Sequence, residues 1–347
     1  MLIAIVPDRT LSRDGTEDSY SARWIARLME LGHEVRTVDI AKPDVLEQIR
    51  GCNAFMWRMP HSPYPRQFAL KLLQAVEHGL GIPVFPDCRT SWHYDDKIAQ
   101  HYLLVASGIP VPRTWIFWDR EEAMQFSQEA DYPLVMKLAR GASSQNVIMV
   151  HNIREAYTWV EKMFHGEIYQ LQAASSHWSS RLRHALDYLR TGSHPDPGFW
   201  YEAQKHYVLF QEYLPGNTFD TRVTVIGNRA FAFRRENRAH DFRASGSGKI
   251  LYEPDKIDPN FIRLASRISH KLHLQSTAID GLHRDGEHVI VEISYTYASR
   301  AVHECPGHWI LNGQAGDDIL TWNDGRTWPQ DLILECFLEQ VAVKNHR

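Results

Sequence analysis

The segment 278–294 constrains the fold most, because it consists of two short runs of alternating apolar residues around the turn sequence Arg-Asp-Gly at 284–286. This pattern is typical of a β-hairpin. Glu292 and Ser294 are two residues apart on the second predicted strand, so their side chains share one face. Because a hard cation such as Mg²⁺ takes a few oxygen ligands that converge from one side, this face is a candidate metal site.

The register of this hairpin decides whether Asp280 joins the same face. A two-residue turn at 285–286 pairs Asp280 with Val291 and puts the aspartate opposite to the face of Glu292. A three-residue loop pairs Asp280 with Ile290 and brings all three oxygen-bearing side chains to one side. If this face binds a metal ion, we expect the three-residue loop. The alternative interpretation of these carboxylates is that they lie on the solvated outer face of a hairpin.

A second predicted hairpin, at 219–235, carries opposite charges on one face. Its turn sequence, Gly227-Asn228, suits a two-residue connection. That connection places Asp220 opposite Arg235, with Arg222 on the same face. One carboxylate between two guanidinium groups suits the recognition of a phosphate or carboxylate. The alternative is a surface ion pair between strands, which contributes little stability.

Length and composition leave room for two or three lobes and exclude several classes of protein. The 347 residues are 44% hydrophobic and 23% charged, with a formal net charge of −4. The chain has no excess of basic residues that would favour binding to nucleic acid. No apolar run approaches the roughly 18 residues of a membrane span. The N-terminal apolar run is too short for a signal peptide. The four cysteines and 19 histidines are scattered without zinc-type spacing, which predicts reduced thiols in a cytoplasmic protein.

Strands alternate with helices through residues 1–92, which predicts an N-terminal α/β lobe with a parallel sheet. No glycine fingerprint follows the first strand, so a dinucleotide-binding domain is disfavoured.

From residue 93 onwards the pattern changes. A helix at Lys97–Ser107 precedes a short strand that ends at Lys137, and the small polar loop 140–146 then leads into another strand. Such a loop can wrap phosphate oxygens with its backbone N–H groups. We predict a central subdomain at 93–205, with a helical insertion at 169–205, and a C-terminal subdomain at 206–347.

The ordered polar residues from Asp95 to Ser299 resemble those of the ATP-grasp ligases, and most of all the branch of glutathione synthetase and the ribosomal-protein glutamate ligases. The residues that carry this resemblance are Lys97, Lys137, Gln211-Glu212-Tyr213-Leu214, Asp220-Thr221-Arg222, Arg234-Arg235, Asp241-Phe242-Arg243, Asp280 and Glu292. The resemblance implies an α/β (α+β) ATP-grasp fold behind the N-terminal lobe.

The resemblance also implies roles for individual residues. ATP would contact Lys97, Lys137, the loop residues Ser143 and Ser144, the hinge residues Gln211, Glu212, Tyr213 and Leu214, and Asp220. Magnesium, with manganese as a substitute, would contact Asp280, Glu292 and Ser294. Arg235 and Arg243 would be catalytic, and the substrate would contact Arg222, Asn237 and Ser245. The family usually carries asparagine at the position of Ser294, and this chain departs from that pattern.

The function implied is an ATP- and Mg²⁺-dependent ligase that joins a small-molecule carboxylate to an amine through an acyl phosphate. Arginines and metal ions are what γ-phosphoryl transfer needs, because positioning and charge stabilisation supply most of its catalysis. Two alternatives stay open: a kinase of the same fold that releases a stable phosphorylated product, and a nucleotide-binding module without turnover. The oligomeric state stays open, although relatives of this kind often form homodimers.

Overall fold

The computed structural model describes residues 1–8, 19–60, 63–141, 146–168, 202–238, 241–244, 248–312 and 319–345. Within these ranges three β-sheets follow one another along the sequence, each with helices packed against it. Most of the predicted insertion at 169–205 lies outside the described residues.

The first sheet is parallel, with the strand order β2-β1-β3-β4. Its strands are β1 (Leu2–Ile5), β2 (Glu34–Thr37), β3 (Ala54–Met56) and β4 (Val84–Phe85). The helices of this lobe are α1 (Tyr20–Glu30), α2 (Val45–Ile49), α3 (Pro63–Gln74), a π-helical turn (Ala75–Gly79) and α4 (Cys88–Ser91). The strands β1 and β3 are apolar and buried throughout most of their length, as is usual for the strands of a parallel sheet. The predicted α/β lobe is confirmed.

The second sheet is antiparallel, with the order β5-β8-β6-β7. Its strands are β5 (Thr114–Phe117), β6 (Leu134–Lys137), β7 (Val147–Val150) and β8 (Val208–Glu212), and its helices are α5 (Lys97–Ala106), α6 (Arg120–Glu129) and α7 (Ile153–His165). The predicted subdomain boundary at 206 stays a prediction, although strand pairing joins β8 to the sheet that precedes that boundary.

The third sheet runs in the order β13-β12-β9-β10-β14-β15, and the short β11 pairs with β10. Its strands are β9 (Phe219–Ile226), β10 (Arg229–Glu236), β11 (Ile250–Leu251), β12 (Ser276–Arg284), β13 (Glu287–Ser294), β14 (Gly307–Asn312) and β15 (Ile319–Asp324). A 3₁₀ turn (Pro254–Lys256) and the helices α8 (Pro259–Lys271), α9 (Ser299–His303) and α10 (Pro329–Asn345) complete this part.

The last helix, α10, ties the C-terminal part back to the first lobe. The Arg23 guanidinium donates to both carboxylate oxygens of Asp331 at 2.7 Å. The Trp24 indole, fully buried on α1, donates to the carbonyl of Gln330 at 3.0 Å. Among the helices that the structure describes, none is both long enough and apolar enough to span a membrane.

Candidate active site

The hairpin β9–β10 has the register predicted from its turn sequence. Asp220 lies opposite Arg235, and Arg222 lies opposite Phe233. Gly227 opens the two-residue turn with φ of 58°, the left-handed conformation that a type II′ turn requires at its first central position. The prediction for this hairpin is confirmed, and its charged face looks into the cleft between the second and third sheets.

The hairpin β12–β13 reaches the predicted geometry by a different route. The predicted three-residue loop is wrong, because Arg284 pairs with Glu287 and only Asp285 and Gly286 remain in the turn. Their φ angles are 52° and 85°. A bulge then shifts the register between Asp280 and Gly281, so that Asp280 pairs with Glu292 and leaves Val291 as the extra residue. The two acids therefore share a face, as the metal hypothesis demanded.

Asp280 lies at the centre of a buried network of four charges. Its carboxylate accepts hydrogen bonds from Arg222 at 2.6 and 2.7 Å and from Arg235 at 2.6 Å. Arg235 also donates two bonds to Asp220, at 2.7 and 2.6 Å. Burial by itself would raise the pKa of Asp280, but the charges of Arg222 and Arg235 outweigh it and lower that pKa to about 2. Arg235 is thus held rigidly by two carboxylates at the edge of the cleft.

Two lysines enter the cleft from the second sheet and its first helix. Lys137 is the last residue of β6, and Lys97 is the first residue of α5, whose N-terminus is capped by Asp96. The Lys97 ammonium donates to the carbonyl of Gly141 at 2.9 Å, at the base of the small polar loop. Burial and the nearby charge of Lys97 lower the pKa of Lys137 to about 8, while Glu292 acts in the opposite direction. Lys137 is therefore close enough to Glu292 to sense its charge.

The oxygen ligands that remain for a metal ion come mainly from Glu292. Within the described part of the chain its carboxylate has no hydrogen bond or ion pair. Oδ1 of Asp280 accepts a single bond and keeps a lone pair, so Asp280 can still act as a monodentate ligand. The Ser294 hydroxyl instead donates to the carbonyl of Thr296 at 2.8 Å and does not line the cleft. The donor set thus fits magnesium at two carboxylates, which is the number that such sites commonly supply.

The hinge residues divide into two that brace the scaffold and two that are available to a ligand. Gln211 donates to the hydroxyl of Thr114 at 2.9 Å. Glu212 accepts from the backbone and guanidinium of Arg113, both at 2.7 Å, and from Arg284 at 2.9 Å. Among the described residues no backbone partner is found for the N–H groups of Tyr213 and Leu214. Both residues line the cleft.

Arg243 and Asn237 close the cleft from the segment that follows β10. Arg243 pairs with Asp241 at 2.6 Å and donates to the carbonyl of Val147 at 3.2 Å, which links this segment to the edge of the second sheet. Asn237 donates to the carbonyl of Asn217 at 2.8 Å.

Most of the predicted site residues meet in this one cleft. Those that line it are Lys97, Lys137, Gln211, Glu212, Tyr213, Leu214, Asp220, Arg235, Asn237, Arg243, Asp280 and Glu292. Arg222 reaches the site through Asp280, whereas Ser143, Ser144 and Ser245 lie outside the described residues.

Sequence reasoning missed several other lining residues. Asn217 bridges to the backbone of His283 through two hydrogen bonds of 2.9 Å, and apolar walls come from Val135, Leu282 and Val291. Val291 lines the cleft because of the bulge, and no sequence pattern predicted that bulge.

The chain is similar to known proteins in part of its sequence and in its fold. A family model described as a RimK-like ATP-grasp domain matches residues 94–172. The D-alanine–D-alanine ligase of Bacillus anthracis complexed with ATP superposes with a TM-score of 0.57, at 14% identity, over 99% of both chains. The chain has the ATP-grasp fold. The ATP-grasp ligase PsnB, complexed with a phosphomimetic precursor variant, Mg and ADP, gives a TM-score of 0.57 at 17% identity over 98% of both chains.

The chain also resembles a curated relative in part of its sequence. The α-aminoadipate–LysW ligase LysX of Saccharolobus solfataricus is 32% identical over 82 residues. That stretch is 24% of this chain and 30% of the relative, so less than a third of the relative's length is matched. The predicted α/β ATP-grasp fold is confirmed by these comparisons.

Proposed function

We propose that this protein is an ATP- and magnesium-dependent ligase that joins a carboxylate to an amine through an acyl phosphate. One observation carries the proposal: Lys97 of α5 and Lys137 of β6 line the same cleft as Glu292 and Arg235 of the third sheet. Cationic and acidic side chains arranged in this way suit a triphosphate with its metal ion. The ATP and Mg–ADP complexes of two proteins with the same fold are consistent with it.

Each group in the cleft then has a definite task. The ammonium groups of Lys97 and Lys137 bind phosphate oxygens, and the N–H groups of Tyr213 and Leu214 hydrogen-bond the edge of the base. Glu292 and Oδ1 of Asp280 hold magnesium, which neutralises charge on the phosphates when bound. Ser294 is the weakest member of the predicted metal set, because its hydroxyl is committed to a carbonyl.

The chemistry needs no covalent attachment to the protein. A carboxylate oxygen of the first substrate attacks the γ-phosphorus, and the bond to ADP breaks. The amine nitrogen of the second substrate then attacks the acyl carbon, inorganic phosphate leaves, and the nitrogen loses a proton to solvent. Arg235 and Arg243 stabilise the negative charge of the acyl phosphate, and Arg235 does so without reorganising because Asp220 and Asp280 already fix it.

Hydroxylamine trapping tests this proposal. The protein, Mg-ATP and a panel of amino acids, peptides and sugar acids are incubated with hydroxylamine in place of the amine. A ligase gives a hydroxamate with equimolar phosphate and ADP, because hydroxylamine displaces phosphate from the acyl group. A kinase gives ADP and a stable phosphorylated product without hydroxamate, and a module without turnover binds Mg-ATP and releases no phosphate from any substrate pair.

A further inference from the structure

A second group of metal-ligating side chains lies in the N-terminal lobe, away from the residues that line the cleft. It consists of Glu77, His78 and Cys88, whose carboxylate oxygen, ring nitrogen and sulfur all lie within 4.8 Å of one another. Among the described residues it is the one group in which at least three such ligands converge. None of the three lines the cleft, and the proposed ligase reaction does not use them.

Local structure brings these three residues together. Glu77 and His78 are consecutive residues of the π-helical turn at the end of α3, where Leu80 bonds back to Ala75 at 3.1 Å. Such turns within helices frequently mark functional positions. Cys88 begins α4, and its backbone N–H donates to Oε2 of Glu77 at 2.7 Å. That bond fixes the carboxylate beside the thiol.

We propose that Glu77, His78 and Cys88 bind one divalent transition-metal ion of the zinc class, with water as the fourth ligand. A thiolate, an imidazole and a carboxylate form a ligand set that suits zinc, whereas Mg²⁺ and Ca²⁺ favour oxygen ligands. Zinc bonds of about 2.0–2.3 Å place tetrahedral ligand atoms about 3.5 Å apart. The side chains therefore need to close by about 1 Å, which the exposed ring of His78 and the half-buried Glu77 can accommodate.

Charge supports the same assignment. When the metal binds, sulfur takes the ion and its proton passes to solvent. One carboxylate and one thiolate then balance the two positive charges of the ion, and no uncompensated charge is left at this half-buried position.

Cobalt binding to the full-length protein tests the site. The protein is treated with a chelator, desalted and titrated with Co²⁺ alone. We expect one equivalent to give the near-ultraviolet sulfur-to-cobalt band and the strong visible absorption of a tetrahedral ion. Cys88→Ser should abolish the sulfur band, and His78→Ala or Glu77→Gln should weaken binding at least about tenfold. Cobalt in the cleft cannot imitate this result, because no cysteine is found among the described residues that line it.

Cys336→Ser is the matched control, because its thiol is also half-buried and free but is not in the group. It should leave the sulfur band unchanged. Loss of the band in this control, its survival in Cys88→Ser, or its absence from the unmodified protein would overturn the proposal.

Discussion

Asp280 and Glu292 lie directly opposite each other on neighbouring strands because one extra residue, Val291, bulges out between Glu292 and the turn. The two carboxylates nevertheless have different surroundings. Asp280 is 3% exposed and is bonded to two arginines, whereas Glu292 is half-buried and has no hydrogen bond among the described residues. The arginines therefore occupy most of the acceptor positions of Asp280, whereas both oxygens of Glu292 are available to a ligand.

This difference predicts opposite effects on stability. Asp280→Asn should lower the free energy of unfolding by about 3–5 kcal/mol, because it leaves two buried guanidinium groups undercompensated. Glu292→Gln should change that free energy by less than about 0.5 kcal/mol, since no hydrogen bond or ion pair is lost. Both should lower kcat at least about 100-fold by removing charge from the active site. Urea unfolding and phosphate release measure the two effects, and equal destabilisation by both variants would contradict the assignment.

The lowered pKa of Lys137 predicts pH-dependent nucleotide binding. Below a pH of about 8 its ammonium is charged and attracts phosphate, but as pH rises through that value the free protein loses the charge. Affinity for a non-hydrolysable Mg-ATP analogue should therefore fall up to about tenfold for each pH unit above the pKa of Lys137. Calorimetry at about pH 7 and about pH 9 compares the wild type with Lys137→Arg, whose charge does not titrate in this range. An equal fall in both proteins would show that another group titrates.

Glu212 is expected to support the fold rather than the nucleotide. Glu212→Gln should lower the free energy of unfolding by about 1–3 kcal/mol. The reason is that the neutral amide oxygen of glutamine accepts hydrogen bonds from Arg113 and Arg284 less strongly than the buried carboxylate does. The loss of stability should be modest because the Arg113 side chain is 69% exposed and solvent screens its charge. Glu287→Gln, at the exposed first position of β13, is the control and should have no effect. A loss of nucleotide affinity at unchanged stability would assign Glu212 to the base instead.

Ser294 should contribute little to metal binding. Since its hydroxyl donates to the Thr296 carbonyl, Ser294→Ala should change the magnesium concentration for half-maximal activity by less than about tenfold, the equivalent of one neutral hydrogen bond. Phosphate release over a magnesium titration measures it. A larger increase, at unchanged stability, would return Ser294 to the metal ligands.

Local sequence was enough to predict the secondary structure around the site. The Gly227-Asn228 turn gave the register of β9–β10, because turn length and side-chain alternation together fix which residues face each other. The predicted helix start at Lys97 is confirmed, and the structure shows that Asp96 caps it.

Other features depend on contacts between distant parts of the chain. The bulge at Val291 belongs to a strand that pairs within a larger sheet, and the turn sequence alone pointed to the wrong loop length. The pairing of Asp280 with both Arg222 and Arg235 requires three strands side by side. Glu77 and Cys88 meet only because the helices α3 and α4 pack together.

The sequence by itself thus determined the strands, their alternating faces and the order of the charged residues, because these follow from steric preferences within a few residues of chain. Tertiary structure decided which of those charges neutralise one another and which remain available to a ligand. The physical reason is that pairing, burial and the resulting pKa values depend on distances between groups that are remote along the chain, as Asp280 and Arg222 are.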